Sequence, residues 1–153
     1  MLRMSKLTDY GTLVLAQLAA NDRGLSTCAS VAAATHLGQP TVSKLLKLLA
    51  RAGLVVSVRG AQGGYALARP PETITAAEIL DALEGPVAIT ACSSAVGLCG
   101  LEGHCRVGAA WQRINRSIRV ALESVTLADL LTSPDPLPAE MLERELRKSA
   151  ATG

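Results

Sequence analysis

Aromatic side chains are nearly absent from this sequence of 153 residues, which has no phenylalanine, one tryptophan and two tyrosines. A hydrophobic core must therefore be built from Leu, Val, Ile and Ala, and we expect packed helices. The sequence does not open with a charged segment, an apolar run and a small-residue cleavage site, so no secretory signal peptide is expected. No apolar run approaches the roughly 20 residues of a membrane-spanning helix. We therefore expect a cytoplasmic protein without a membrane partner, whose thiols stay reduced.

Cysteine is scarce too, yet three of the four cysteines fall within one short stretch. Cys92, Cys99 and Cys105 are separated by six and five residues that are mainly Gly, Ser and small apolar types, which let a backbone wrap around a compact group. The C-x2-C pair usual in zinc sites is missing from this stretch. Thiolates suit iron–sulfur clusters, zinc or copper(I), and the loose spacing favours a polynuclear cluster. The alternatives are reduced surface thiols, or a disulfide with one thiol left over.

The net charge of +2 hides an uneven distribution along the chain. Residues 1–70 carry eight Lys or Arg against two acids, giving +6, whereas residues 71–153 carry seven basic and eleven acidic residues, giving −4. This asymmetry could be ordinary variation on a solvated surface. It could equally indicate a polyanionic partner for the N-terminal half alone.

The first half contains three segments that predict helices. The first covers residues 6–20, with Leu13, Leu15 and Leu18 on its apolar face. The second is Ala-rich and ends near His36, which we interpret as a cap or surface residue, while its Cys28 is interpreted as a small buried side chain. The third covers residues 40–52 and begins after a turn that contains Gly and Pro.

The second and third segments together predict a helix-turn-helix, a motif whose second helix enters the major groove of DNA. The polar side of the third helix carries hydroxyl and basic side chains. The residues expected to contact base edges or phosphates are Thr41, Ser43, Lys44 and Lys47. Any amphipathic helix pair with lysines on its solvated side would look similar, so this motif alone does not settle the function.

A β-hairpin is predicted directly after the third helix, from residues 54–59 and 65–69 around a Gly-rich turn. A hairpin in this position is a wing. Arg59 and Gln62 at its tip could reach phosphates or a narrow minor groove, where the negative potential attracts arginine. The alternative for Arg59 is a solvated hairpin arginine.

Helices are also predicted in the second half. Thr75 and Glu78 form a capping box for a fourth helix, and a longer helix covers about residues 106–122. A short capped helix follows the long one. The apolar residues of the long helix make it a candidate surface for self-association, a core helix within one chain, or both. They are Trp111, Ile114, Ile118, Val120 and Leu122.

The predicted fold is mainly α with a small β-hairpin: a winged helix-turn-helix domain plus a long dimerisation helix. We assign residues 1–85 to the DNA-binding domain and residues 86–106 to the cysteine loop. Residues 107–132 form the dimerisation helix and a short C-terminal helix. Residues 133–153 are a Pro-rich linker and a peripheral tail, to which we assign no function.

The order of these features resembles the Rrf2 family, which includes iron–sulfur regulators of the IscR and NsrR types. The resemblance spans roughly residues 1–132. It is carried by Lys6-Leu7-Thr8-Asp9-Tyr10, Pro40-Thr41-Val42-Ser43-Lys44, Val58-Arg59-Gly60-Ala61-Gln62-Gly63-Gly64-Tyr65, Leu83-Glu84-Gly85 and the three loop cysteines. Residues 84–92 and 111–115 most resemble regulators of the SUF iron–sulfur assembly operon.

The resemblance implies a homodimer whose cluster occupancy sets its affinity for double-stranded operator DNA, with 2Fe–2S favoured over 4Fe–4S. It implies Cys92, Cys99 and Cys105 as ligands. IscR-type members add a His three residues after the last Cys, where this sequence has Gly108. NsrR-type members add an Asp from the first helix of the other subunit, and Asp9 matches that position. We favour Asp9 over His104 as the fourth ligand, because adjacent residues such as His104 and Cys105 rarely reach one metal with good geometry.

These inferences predict an iron–sulfur-sensing transcription regulator, acting as a repressor of iron–sulfur assembly genes, and not an enzyme. The alternatives within regulation are a metal-free repressor that responds to thiol oxidation or nitric oxide, and a structural zinc site. An enzyme built on Cys105 and His104 is disfavoured, because neighbouring residues point apart and the sequence suggests no third orienting group.

Overall fold

The computed structural model describes residues 5–21, 24–90 and 106–132. Six α-helices and one antiparallel two-stranded sheet form in these ranges, so the predicted fold class is confirmed. A short 3-10 turn, Pro71–Thr73, precedes the fourth helix. In chain order the elements are α1 (Lys6–Ala19), α2 (Cys28–Thr35), α3 (Gln39–Arg51), β1 (Val55–Val58), β2 (Gly64–Leu67), α4 (Ala76–Glu84), α5 (Gly108–Glu123) and α6 (Leu127–Thr132).

Local sequence signals fix where most helices begin and end. The Thr75–Glu78 capping box of α4 is confirmed, since each side chain bonds the backbone N–H of the other residue. Thr126 and Asp129 form the same reciprocal pair at the start of α6. His36 caps the C-terminus of α2 in the left-handed region, at φ 55°, which agrees with its interpretation as a cap.

The core is aliphatic, as the scarcity of aromatic residues predicts. The large side chains that are fully buried in the described ranges are Val14, Leu15, Val31, Val42, Leu45, Leu46, Leu49, Leu54, Ile74, Ile79 and Leu127. They come from α1, α2, α3, the residue before β1, the segment before α4, α4 itself and α6, so these elements share one core.

The placement of Leu13 on the buried face of α1 was wrong, because this side chain is 50% exposed. Besides Thr8, the buried positions of α1 are Gly11, Val14, Leu15 and Leu18. This is the i, i+3, i+4, i+7 spacing of a single helical face, and Leu13 lies outside it.

The hairpin is the predicted wing, with Val55 paired to Leu67 and Val58 paired to Gly64. Its root is joined to the segment before α2, since Ser26 and Tyr65 exchange two backbone hydrogen bonds of 2.8 Å. The turn needs glycine at position 63, because a Cβ there would lie 2.3 Å from the carbonyl oxygen of Val58. The wing is therefore held against the helix-turn-helix by backbone contacts as well as by packing.

Helix α6 is attached to the start of α4. Ala76 donates its N–H to the carbonyl of Val125 at 2.8 Å, and Leu127 donates to the carbonyl of Ile74 at 2.7 Å. In the part of the chain that the structure describes, no helix has both the length and the apolar character needed to cross a membrane.

Candidate functional site

Helix α3 is strongly amphipathic and presents its polar side to solvent. Val42, Leu45, Leu46 and Leu49 are completely buried on one side. Of the predicted DNA-contacting residues on the other side, Lys44 and Lys47 are exposed and Thr41 and Ser43 are half-buried. The apolar side of α3 thus fixes the helix on the core while both ammonium groups project outward.

The wing adds two exposed polar side chains, Arg59 just after β1 and Gln62 in the turn. Neither Arg59 nor the two α3 lysines forms a salt bridge within residues 5–21, 24–90 and 106–132. Unpaired cations on a helix and a neighbouring hairpin are the arrangement that a phosphate backbone attracts.

Gln39 is a further candidate that the sequence interpretation missed. It is exposed in the first turn of α3, directly after the N-cap Gly38. The first residues of a helix inserted into the major groove contact base edges, and a glutamine amide can form two hydrogen bonds with adenine. Its place beside Pro40, in the first turn of the helix, was the available signal.

The predicted fourth ligand, Asp9, lies in the first turn of α1 with an exposed carboxylate. This carboxylate forms no hydrogen bond or ion pair with the described residues. It borders a groove of about 670 Å³ between α1, α4, α5 and α6. The groove is lined mainly by apolar side chains, which include Leu13, Leu80, Leu122, Leu130 and Leu131.

Glu84, the last residue of α4, binds the start of α1. Its Oε1 accepts hydrogen bonds from the Ser5 N–H at 3.0 Å, the Ser5 hydroxyl at 2.8 Å and the Thr8 hydroxyl. The hydrogen bonds from Thr8 and then Ser5 lower the pKa of this carboxyl below its ordinary value. The end of α4, where the chain turns toward the cysteine loop, is thus attached one residue from Asp9.

We expect the variant Glu84→Gln to be less stable than the wild type at neutral pH, because it loses the charge that strengthens these hydrogen bonds. A carboxyl with a lowered folded-state pKa stabilises the protein above its unfolded pKa and loses that contribution as pH falls through the folded value. The difference between variant and wild type should therefore shrink between pH 7 and about pH 3. Urea unfolding midpoints at both pH values measure it. The control is Glu72→Gln, which makes the same change at an exposed acid. An equal difference in stability between Glu84→Gln and the wild type at both pH values would contradict the prediction.

Helix α5 is held against α4 and against the segment that leads to the cysteines. Arg119 contacts Asp81 of α4 through both terminal nitrogens, at 3.2 and 2.9 Å, and contacts Glu123 at 2.9 Å. The Asn115 amide donates to the carbonyl of Val87 at 3.1 Å and accepts the N–H of Ile89 at 3.3 Å. The loop therefore starts from a backbone fixed on α5.

The apolar side of α5 is only partly covered by the described residues. Trp111 and Ile114 are 40% and 42% exposed, whereas Ile118 and Leu122 are half-buried. The spacing of these residues places them on one side of the helix. Val120 is 59% exposed but lies elsewhere on the helix surface.

Cys92, Cys99, Cys105 and His104 lie outside the described residues, as does the tail, residues 133–153. Within the described ranges, no three His, Cys, Asp or Glu side chains converge to hold a metal ion. Cys28 packs against the core as a half-buried side chain, and its thiol lies 3.7 Å from the carbonyl of Gln39. It is thus less buried than the sequence interpretation expected.

A winged helix-turn-helix with free cations on its third helix and wing defines a class of DNA-binding transcription regulator. Comparison with protein families agrees, since the Rrf2 model, described as an iron-dependent transcriptional regulator, matches residues 4–133. The chain belongs to the Rrf2 family, which confirms the resemblance inferred from its motifs.

Known relatives support the same class. The HTH-type transcriptional regulator CymR of Bacillus subtilis (strain 168) is 33% identical over 135 residues, which cover 88% of this chain and 93% of the relative. The solved structure of B. subtilis CymR, the global cysteine regulator, matches with a TM-score of 0.67 at 32% identity, over 88% of this chain and all of that one. The structure of T. potens IscR matches with a TM-score of 0.64 at 31% identity, over 92% of this chain and 96% of that one. The family and these relatives are regulators and not enzymes, as predicted.

Proposed function

We propose that this protein is a cytoplasmic, homodimeric repressor of SUF-type iron–sulfur assembly genes, and that iron–sulfur cluster occupancy changes its affinity for operator DNA. The observation that carries this proposal is a C-x6-C-x5-C stretch inserted between α4 and α5 of a winged helix-turn-helix. The similarity to T. potens IscR supports it. The division into residues 1–85, 86–106, 107–132 and 133–153 is part of the proposal.

The donor chemistry fits an iron–sulfur cluster. Thiolates from Cys92, Cys99 and Cys105 are soft ligands of the kind that iron–sulfur clusters use. Asp9 is a suitable fourth ligand, because its exposed carboxylate has no other partner within the described ranges. With these four ligands we favour a 2Fe–2S cluster. When bound, the cluster would supply iron–thiolate bonds that oxidants or iron scarcity can break.

The homodimer is supported by two apolar surfaces. One is the exposed side of α5 with Trp111 and Ile114, and the other is the groove lined by Leu13, Leu130 and Leu131. Contiguous exposed apolar surface of this kind is typical of subunit interfaces. Asp9 lies at the edge of that groove, so a second subunit seated there would come close to its carboxylate. This supports ligation by Asp9 of the partner subunit.

The described contacts offer a route from the cysteine loop to the DNA-contacting helix. The loop follows α4, whose last residue, Glu84, holds the start of α1 through Ser5 and Thr8. Helix α1 packs in turn on α3, which carries Lys44 and Lys47. A change in the loop would therefore alter the separation of the two α3 helices of a dimer. We expect a coupling free energy of about 1–3 kcal/mol between cluster binding and DNA binding, as is typical of allosteric proteins. The cluster-loaded form is expected to bind DNA more tightly.

An anaerobic absorption spectrum with iron and sulfide analysis tests this proposal. We expect the wild type to hold a cluster, Cys99→Ala to lose it, and Asp9→Ala to hold it less firmly, because each variant removes one ligand. Glu72→Ala, which removes an exposed carboxylate from another surface, should resemble the wild type. A wild type free of iron would refute the proposed function. An unchanged spectrum and stability in Asp9→Ala would refute only the fourth ligand.

A second candidate is a metal-free regulator that responds to oxidation of its loop thiols or to nitric oxide. The similarity to CymR, described as the global cysteine regulator of B. subtilis, favours it. Anaerobically purified protein that is colourless and iron-free, yet changes its operator affinity with peroxide, would support this candidate over the first.

A further inference from the structure

Asn115 binds the start of the cysteine loop, ahead of its first cysteine, through a donor and an acceptor, as a neighbouring β-strand would. Its amide nitrogen lies 3.1 Å from the carbonyl oxygen of Val87, and its amide oxygen lies 3.3 Å from the nitrogen of Ile89. A carboxamide carries a donor and an acceptor on two separate atoms, which an aspartate, serine or aliphatic side chain of similar size does not. Rotating the amide by 180° would place its oxygen against the Val87 carbonyl and its N–H group against the Ile89 N–H. The pair of contacts therefore fixes the orientation of the amide.

The two contacted residues stand just ahead of the first predicted ligand. Ile89 precedes Cys92 by three residues, and Cys105 precedes the start of α5 by three. Asn115 belongs to α5 itself. Both ends of the loop are therefore connected to α5. The start of the loop is bound by Asn115, and the end of the loop continues directly into the helix. A ligand is held most firmly when a second set of contacts fixes its supporting backbone.

We propose that Asn115 is a positioning residue for the cysteine loop, and that it holds the backbone at residues 87–89 so that the Cys92 thiolate stays within reach of the other ligands. This inference rests on the proposed cluster-binding function. Asn115 touches no reacting atom in this scheme and acts only through the backbone of the segment that it binds. Arg119, one turn further along α5, contacts α4 instead and so anchors the helix rather than the loop.

The test compares Asn115→Ala and Asn115→Asp with the wild type after anaerobic cluster assembly. Asn115→Ala removes both hydrogen bonds, and Asn115→Asp keeps the side-chain volume but cannot donate to Val87. The matched control is Ser117→Ala on the same helix, since within the described ranges the Ser117 hydroxyl bonds only the Arg113 carbonyl. The first readout is the rate at which an iron chelator bleaches the cluster spectrum. The second, made on the cluster-free protein, is hydrogen exchange of the Ile89 amide in Asn115→Ala.

We expect both Asn115 variants to lose the cluster about tenfold faster than the wild type, as the loss of one or two hydrogen bonds implies. Ser117→Ala should match the wild type, and the Ile89 amide should exchange faster in Asn115→Ala. A wild type that binds iron, with both variants bleaching at its rate, would overturn this inference alone. Bleaching of Asn115→Asp at the wild-type rate would overturn it too, because the bond to Val87 would then be irrelevant. A wild type without iron would overturn the proposed function together with this inference.

Discussion

Replacing both Lys44 and Arg59 by alanine is expected to weaken specific operator binding by about 30-fold or more, since each such contact contributes about 1–3 kcal/mol. Both side chains are exposed, one on α3 and the other on the wing. Neither is paired with an acid within the described ranges, so no internal ion pair competes with the phosphates. A titration of operator DNA at constant salt measures the loss.

The salt dependence of binding tells whether these two cations contact phosphates. Each lost phosphate contact should reduce the slope of log K against log salt by about 0.9. The control is Arg116→Ala, which removes one positive charge from α5 rather than from the proposed DNA-contacting elements. A control that loses half as much binding free energy as the double variant, which removes two charges, would mean that net charge alone drives binding, and would contradict the proposed interface.

Leu45→Ala is expected to lower the free energy of unfolding by about 2–5 kcal/mol, which is the usual cost of truncating a fully buried leucine. Leu45 is 0% exposed and lies in α3 next to Lys44, so the cavity would form directly beneath the proposed DNA-contacting surface. This loss would be a large part of the 5–15 kcal/mol that stabilises a typical domain. Denaturant unfolding monitored by circular dichroism measures it.

Leu48→Ala is the matched control for this prediction, because it makes the same substitution in the same helix at a half-buried position. It removes less buried surface and leaves a site that solvent can enter, so the loss should be clearly smaller. Equal losses in the two variants would contradict the prediction, because they would mean that α3 does not pack on the core through the side that carries Leu45.

Local signals in the sequence were sufficient to predict the helices and the wing. The Thr75–Glu78 box, the amphipathic pattern of α3 and the Gly-rich turn of the hairpin each act over a few residues, and all three predictions are confirmed. The buried side of α1 was harder to predict. Several leucines follow one another there, so more than one helical face is apolar and packing decides which is buried.

The contacts around the cysteine loop could not be predicted, because they join residues far apart in the chain. Glu84 binds Ser5 and Thr8 across 79 and 76 positions, and Asn115 binds Ile89 and Val87 across 26 and 28. No local sequence pattern indicates that a side chain will bind a residue so distant in the chain. The ligand set Cys92, Cys99, Cys105 and Asp9 stays a prediction from spacing and resemblance.

The paired hydrogen bonds between Ser26 and Tyr65 join the wing to the segment before α2, so we expect the wing and the helix-turn-helix to move together. A regulator whose two proposed DNA-contacting parts are joined in this way is expected to adjust little to an altered half-site by bending internally. In the proposed dimer, adaptation to operator geometry would then come from the angle between subunits or from distortion of the duplex. We expect the insertion of a single base pair at the centre of a palindromic operator to weaken binding of that dimer, while each isolated half-site keeps its own fit.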